Sequence, residues 1–204
     1  MSTEAYNTLI DRLLHNKLIP GMFLNRQELA SELGFSVAPI REAMKQLERE
    51  GFLVSIPRKG TQVRPIRLGD VRGQLLVREA LECQAARLYC GEAVAANEPH
   101  LRGLAEVLDT TSLDTSEHWR ADLKFHEALL DLTSVDALIQ EYKRVLQLNI
   151  FYSLNRFVSS ADRRDVSGHK QLIEDLKTPN GDKAEKVIRA HVRSGKRRLL
   201  GQLR

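Results

Sequence analysis

A mainly α-helical fold in two parts is predicted, a winged helix-turn-helix followed by an all-α antiparallel bundle of about six helices. Three observations predict it. Three short helical patterns ending at Gly51 lead into two β-prone runs; beyond Pro65 to Asp70 the apolar residues keep the 3.6-residue helical period; and a length of 204 residues holds two small domains. The expected boundaries are 1–66 for the first domain and 70–204 for the second.

Taken in order, Tyr6, Leu9, Ile10, Leu13 and Leu14 give one buried helical face over Glu4 to Asn16. Ile19-Pro20-Gly21 breaks it. Asn25 can cap a short second helix that Gly34 ends, and Ser36 can cap a third. Pro39 falls in that helix's first turn, where its missing N–H costs little. Ile40, Ala43, Met44 and Leu47 form the inner face, with Arg41, Lys45 and Glu48 outward. Phe52 to Ile56 and Gly60 to Arg64, joined by Pro57-Arg58-Lys59, read as a hairpin. Helices are then expected at about 70–96, 98–110, 116–132, 134–157, 162–177 and 181–203, separated by Asn97 and Pro99, Thr110 to Asp114, Thr133-Ser134, Ser159-Ser160 and Pro179-Asn180-Gly181.

Composition removes several classes. No apolar stretch approaches the ~18 residues of a membrane span, and the first residues lack the basic and apolar regions of a signal peptide, so a cytoplasmic location is expected. Cys83 and Cys90 are seven apart on one expected helix, roughly 10 Å between Cα atoms, too far to pair. Lysine and arginine outnumber acids by 31 − 27 = 4, and from Ser36 to Arg67 seven bases face three acids. That local excess suits an anionic partner.

The major groove of double-stranded DNA accepts one helix, and the flanking phosphates favour bases on that helix and on an adjacent loop. Arg41, in the first turn of the third helix, could give two hydrogen bonds to a guanine; Lys45 lies one turn on; Arg58, Lys59 and Gly60 suit a wing, with Gly60 permitting close backbone approach. The motifs Pro20-Gly21, Glu28-Leu29-Ala30, Leu33-Gly34, Pro39-Ile40-Arg41-Glu42-Ala43, Leu47, Glu50-Gly51-Phe52 and Arg58-Lys59-Gly60-Thr61 resemble the GntR family of bacterial transcription factors over residues 6–64. The resemblance implies operator contacts from Arg41, from the start of the recognition helix (Ser36, Ala38, Pro39) and from wing-tip Gly60. Two positions depart from the family pattern: Val37 stands where arginine is usual, removing a base-reading side chain, and Arg26 stands where glutamate is common, adding a candidate phosphate contact.

The second half carries a possible metal constellation. Asp122 and His126 are four apart on one expected helix and project from one face; His169 and His191 fall on the inner stripes of two later helices. One aspartate and three imidazoles suit Zn, Ni, Mn or Fe and leave positions for water or a ligand carboxylate. His118, four residues before Asp122, competes for a place in that set. Trp119 and the run Leu146, Leu148, Ile150, Phe151 read as core or dimer packing, and the basic last helix with Arg193, Lys196, Arg197 and Arg198 as a solvated face.

Val77-Arg78-Glu79-Ala80-Leu81-Glu82 with Ala85-Ala86, then Asp122 to His126, His169, Gly181-Asp182, Ala184 and His191, look like the FCD ligand-sensing domain over about residues 70–203. The resemblance implies a divalent metal on Asp122, His126, His169 and His191, a small organic acid bound beside it with Arg78 facing the cavity, and a homodimer on a dyad operator. Arg78 is also four residues before Glu82, the spacing of a surface salt bridge. The expected function is a DNA-binding transcriptional regulator, with repression the expected sense, whose operator affinity a small carboxylate sets. The alternatives are a metal-dependent enzyme using the same Asp/His site, against which stand the missing His-Glu-x-x-His and the rotation of Glu127 off the ligand face, and a regulator whose metal is purely structural.

Overall fold

Ala5, Leu9 and Leu13 recur at four-residue intervals and are fully buried along α1 (Ser2–Leu14). This helix opens a computed structural model that describes residues 2–110, 116–154 and 168–194. The chain divides into two units, Met1–Arg67 and Leu68–Arg204.

In the first unit α1 is followed by β1 (Phe23–Leu24), α2 (Arg26–Leu33), α3 (Val37–Arg49), β2 (Leu53–Ile56) and β3 (Gly60–Val63). Asn25 caps α2 as expected, its side chain accepting from the backbone N–H groups of Gln27 and Glu28, and Gly34 ends the helix in the left-handed conformation. Ser36 occupies the cap position of α3, yet its side chain makes no capping hydrogen bond. The α3 inner face is Ile40, Ala43, Met44 and Leu47, all buried, and it packs on α1. Glu48 is only partly outward: its carboxylate accepts the Ser55 N–H at 2.8 Å and ties α3 to β2.

The sheet has the order β1-β3-β2, with both pairings antiparallel. Strand β1 has no counterpart in the sequence reading, because two residues are too few to show a period of two. It is recruited by pairing, Phe23 opposite Gln62 and Leu24 opposite Thr61, and a Val63 N–H donates to the Met22 carbonyl at 2.8 Å.

The second unit is helical throughout its described residues: α4 (Leu68–Tyr89), α5 (Glu92–Ala96), α6 (Glu98–Thr110), α7 (Ser116–Asp131), α8 (Asp136–Leu154), α9 (His169–Leu176) and α10 (Gly181–Ser194). The expected single helix over 70–96 is two helices. Gly91, at φ 81°, turns the chain between them, and its N–H donates to the Leu176 carbonyl. A Cβ there would stand 3.3 Å from the Pro179 Cα, so the angle favours glycine and a side chain would also crowd the Pro179 backbone. The described part of the expected 162–177 helix begins at His169; the Ser159-Ser160 break, the Trp119 side chain and Lys196, Arg197 and Arg198 lie outside the described residues.

Helix α4 packs against α7, α8 and α10, while α6 contacts α7 and α9. Their shared core includes Tyr89, Leu101, Leu108, Phe125, Tyr142, Ile173 and Ile188. Leu146, Leu148 and Phe151 are buried as packing residues. Arg193 is exposed, as expected of a solvated face, and its guanidinium also bonds the buried Glu79 carboxylate at 2.7 and 2.8 Å, joining α10 to α4. Both cysteines are free, and burial pushes the Cys83 thiol up to about 11.

Candidate functional site

The first unit presents its bases on α2, α3 and the wing. Arg41 and Lys45 project from α3 with side chains 52% and 56% exposed, and both reach one carboxylate, Glu42, at 3.2 and 3.3 Å. Ala38 and Ser36 are exposed at the helix start, Pro39 is half-buried, and Val37 adds an exposed apolar surface where a base-reading arginine is absent. Arg26 opens α2 and shares a groove with wing residues Lys59 and Gly60, together with Asn25 and Thr61. The structure thus gathers Arg26 with the wing tip, and Arg41 with Lys45.

The wing turn is built by its backbone. The Lys59 N–H donates to the Ile56 carbonyl at 3.0 Å, with Pro57 and Arg58 between them. Arg58 has φ 64°, a left-handed angle uncommon for a side chain of that size. Gly60 has φ 107° and open space around it, so its requirement is conformational rather than steric.

In the second unit α7 carries Asp122 and His126 one turn apart, α9 begins at His169, and the last turn of α10 carries His191. His126, His169 and His191 each offer a ligand atom within 4.8 Å of the others. The Asp122 Oδ1 is 3.8 Å from the His126 Nε2 and 3.6 Å from the His169 Nε2. His118 is buried on the same helix but stands outside this triad of imidazoles. Phe125 closes one side, its ring edge-on to His126 and His169.

Four of these ring nitrogens are buried without a hydrogen-bond partner among the described residues: both nitrogens of His126, His169 Nε2 and His191 Nδ1. A buried polar atom left unpaired costs on the order of 1–3 kcal/mol, so a cluster of such imidazoles with a carboxylate beside two of them fits a cation far better than a structural role. The donor set of imidazoles and one carboxylate suits a first-row divalent ion. Burial, reinforced by the neighbouring His126 and His169, holds His191 well below the ordinary imidazole range, which is the neutral form that a metal needs. Burial alone would raise the Asp122 carboxyl, but His169, His126 and Arg78 together hold it well below its usual range.

Behind this cluster is a charged network of which sequence reading gave only the Arg78–Glu82 pair. Arg78 is buried rather than at the surface; its Nε donates to Glu82 Oε1 at 2.5 Å, and its Nη2 lies 3.5 Å from Asp122 Oδ2. Tyr142, on α8, donates to the same Glu82 oxygen at 2.6 Å. Glu82 Oε2 is 2.8 Å from His126 Nδ1, an ion-pair approach not aligned as a hydrogen bond. Against the penalty of burial, His126, Arg78 and Tyr142 hold the Glu82 carboxyl well below its normal value. Glu127, beside His126, turns away to Lys143 at 3.0 Å and offers the cluster no base.

A basic winged helix-turn-helix joined to a helical unit holding an imidazole cluster defines a DNA-binding transcriptional regulator. The family models agree: residues 1–63 match the bacterial regulatory proteins of the gntR family, and residues 75–194 match the FCD domain. The chain belongs to the GntR family, with an FCD domain as its second part. It is 28% identical to the HTH-type transcriptional regulator YdhC of Bacillus subtilis strain 168, covering 92% of this chain and 86% of that protein. It is 22% identical to the HTH-type transcriptional repressor RspR of Escherichia coli K12, over 94% of this chain and 86% of the relative. A crystal structure of a GntR transcriptional regulator from Rhodococcus sp. RHA1 shares the fold, with a TM-score of 0.72 at 19% identity over 100% of this chain and 99% of that one. No described helix is long and apolar enough to cross a membrane.

Proposed function

We propose that this regulator is a homodimeric repressor of a dyad operator, and that a small carboxylate bound beside a divalent metal sets its DNA affinity. The observation that carries the sensing half is the cluster of His126, His169 and His191 with partnerless buried nitrogens, two of them beside Asp122. Asp122, His126, His169 and His191 would hold the ion, whether Zn, Ni, Mn or Fe, and the ion would supply a Lewis-acidic position for an effector oxygen.

Charge balance favours an anion as the effector. Arg78, Glu82 and Asp122 are buried together and sum to 1 − 2 = −1. With neutral imidazoles, as ligation requires, a divalent ion brings the site to +1, and one carboxylate brings it to zero. Arg78 is a guanidinium beside Asp122, and two protein carboxylates already engage it.

The DNA half is supported by the exposure of Arg41, Lys45, Arg58 and Lys59 and by the groove joining Arg26 to Lys59 and Gly60. Two-fold pairing suits the exposed apolar residues of α4, Leu76, Val77 and Leu88, and would place two winged units on two half-sites. An effector acts only through different affinities for the DNA-competent and incompetent states.

Selection of bound sequences from a random duplex library tests the reading, first with metal-free protein and then with each metal plus an organic-acid pool. An enriched dyad whose retention changes with one acid, in the presence of metal, is the expected result. Sequence-independent, salt-sensitive retention under every condition would overturn it.

A further inference from the structure

Two of the candidate ligands share an arrangement that the metal alone does not explain. His126 turns Nδ1 toward Glu82 Oε2 at 2.8 Å and Nε2 toward Asp122 Oδ1 at 3.8 Å. His169 turns Nδ1 toward Asp109 Oδ1 at 3.5 Å and Nε2 toward Asp122 Oδ1 at 3.6 Å. In each ring one nitrogen faces a carboxylate outside the ligand set, which for His126 is an ion-pair approach rather than an aligned hydrogen bond, and the other is buried, partnerless and turned to Asp122.

Resting on the metal reading above, we propose that Glu82 and Asp109 are positioning residues that fix the tautomer and ring orientation of His126 and His169. A neutral imidazole has one N–H and one lone pair, and an ionised carboxylate only accepts. A carboxylate at Nδ1 therefore keeps the proton there and leaves the lone pair on Nε2, where the ion would be held. Such outer partners also raise the basicity of the ring as a ligand.

Glu82 is itself fixed for this task. Its Oε1 accepts from Arg78 Nε and Tyr142 OH, which leaves Oε2 for His126. The arrangement makes Glu82→Gln a reversal rather than a deletion. A guanidinium has no acceptor, so the amide oxygen must stay on Arg78; the amide NH₂ then meets His126 Nδ1, and the proton moves to Nε2. Asp109, with its side chain 37% exposed, is replaceable without opening the core.

The test uses the full chain as wild type, Glu82→Gln, Asp109→Ala and Tyr142→Phe, each purified without metal. Long-range proton–nitrogen correlations on isotope-labelled histidine report which ring nitrogen carries the proton, and titration with Co²⁺ alone reports affinity and the visible ligand-field bands. Wild type is expected to hold Nδ1–H on His126 and His169. Glu82→Gln is expected to shift the His126 proton to Nε2, and Glu82→Gln and Asp109→Ala are each expected to weaken Co²⁺ binding by about 10- to 100-fold with altered bands. Tyr142→Phe loosens Glu82 without removing it and should give a smaller loss. Unchanged tautomers with Co²⁺ affinities matching wild type in Glu82→Gln and Asp109→Ala would overturn the assignment, and the Asp109 variant decides it if Glu82→Gln does not fold. Failure of the wild-type protein to take up Co²⁺ would instead sink the metal reading, and this inference with it.

Discussion

The Nη2 of Arg78 lies 3.5 Å from the Oδ2 of Asp122, with the arginine side chain only 3% exposed. The first helix of the FCD unit therefore reaches the candidate metal ligand directly. Arg78 is a bridge between two buried carboxylates, Glu82 and Asp122, and its guanidinium is held well in the charged form: burial opposes the charge, and Glu82 and Asp122 outweigh it.

Removing that bridge strands two anions. Breaking a buried ion pair from one side costs about 3–5 kcal/mol, because the remaining charge stays desolvated. Arg78→Ala is expected to lower the urea midpoint of metal-free protein by a corresponding amount, and a divalent ion should restore part of the loss by neutralising Asp122. Urea unfolding followed by circular dichroism checks this. An unchanged midpoint would show that Arg78 is dispensable to the network.

Much of this was legible from local chemistry. Asn25 and Gly34 mark the ends of α2, the four-residue spacing of Ile40, Ala43, Met44 and Leu47 marks the buried face of α3, and the inner stripes of α9 and α10 carry His169 and His191. What escaped is long in range. Tyr142 meets Glu82 across 60 residues, Asp109 meets His169 across another 60, and β1 exists only because β3 pairs with it. Gly91 escaped for a different reason: alanine-rich neighbours keep the helical pattern running through it, and only the approach of Pro179 reveals why the helix must stop.

Acid should loosen the helical unit in a defined window. His191 is held below its unfolded value of 6.5 by burial first, then by His126 and His169. The unfolded chain thus binds this proton before the folded one does, so its contribution to stability is complete above pH 6.5 and declines as the pH falls below it. Metal retention should fall in the same direction, since protons compete for the ligands. Urea midpoints of metal-free protein are expected to drop from pH 7 to about pH 5.5, with His191→Asn flattening the slope. A slope equally steep in that variant would remove His191 as its source. The depressed carboxyls of Asp122 and Glu82 act further into acid, where their protonation removes what Arg78 stabilises.

Glu42 holds two of the exposed bases of α3, Arg41 and Lys45, on one carboxylate. Arg41→Ala is expected to weaken specific operator binding by about 1–3 kcal/mol, the size of a two-bond arginine–guanine contact, while leaving the melting temperature and metal content unchanged. Glu42→Gln should act oppositely on non-specific DNA, raising affinity for random duplex several-fold at low salt as both cations become free, with the gain shrinking as salt rises. Fluorescence anisotropy across a salt series checks both. Retained operator affinity in Arg41→Ala would remove that side chain from base reading.

The wing turn sets a backbone preference against a side-chain contact at one residue. Arg58 occupies a left-handed angle, φ 64°, after Pro57, a position where glycine is the relaxed choice and where a side chain costs about 1–2 kcal/mol. Its persistence there makes sense if the guanidinium meets a phosphate. Arg58→Gly and Arg58→Ala both remove that charge, but only glycine relieves the angle. Both are expected to weaken DNA binding and to reduce the slope of log affinity against log salt by about 1, while Arg58→Gly should unfold at a higher urea concentration than Arg58→Ala by about 0.5–1 kcal/mol of stability. Gly60→Ala should behave in reverse, losing stability at φ 107° although nothing lies within 4 Å of the added methyl. Equal stability in the two Arg58 variants would mean that the wing relaxes out of this turn, and a salt slope unchanged from wild type would take Arg58 off the phosphate backbone.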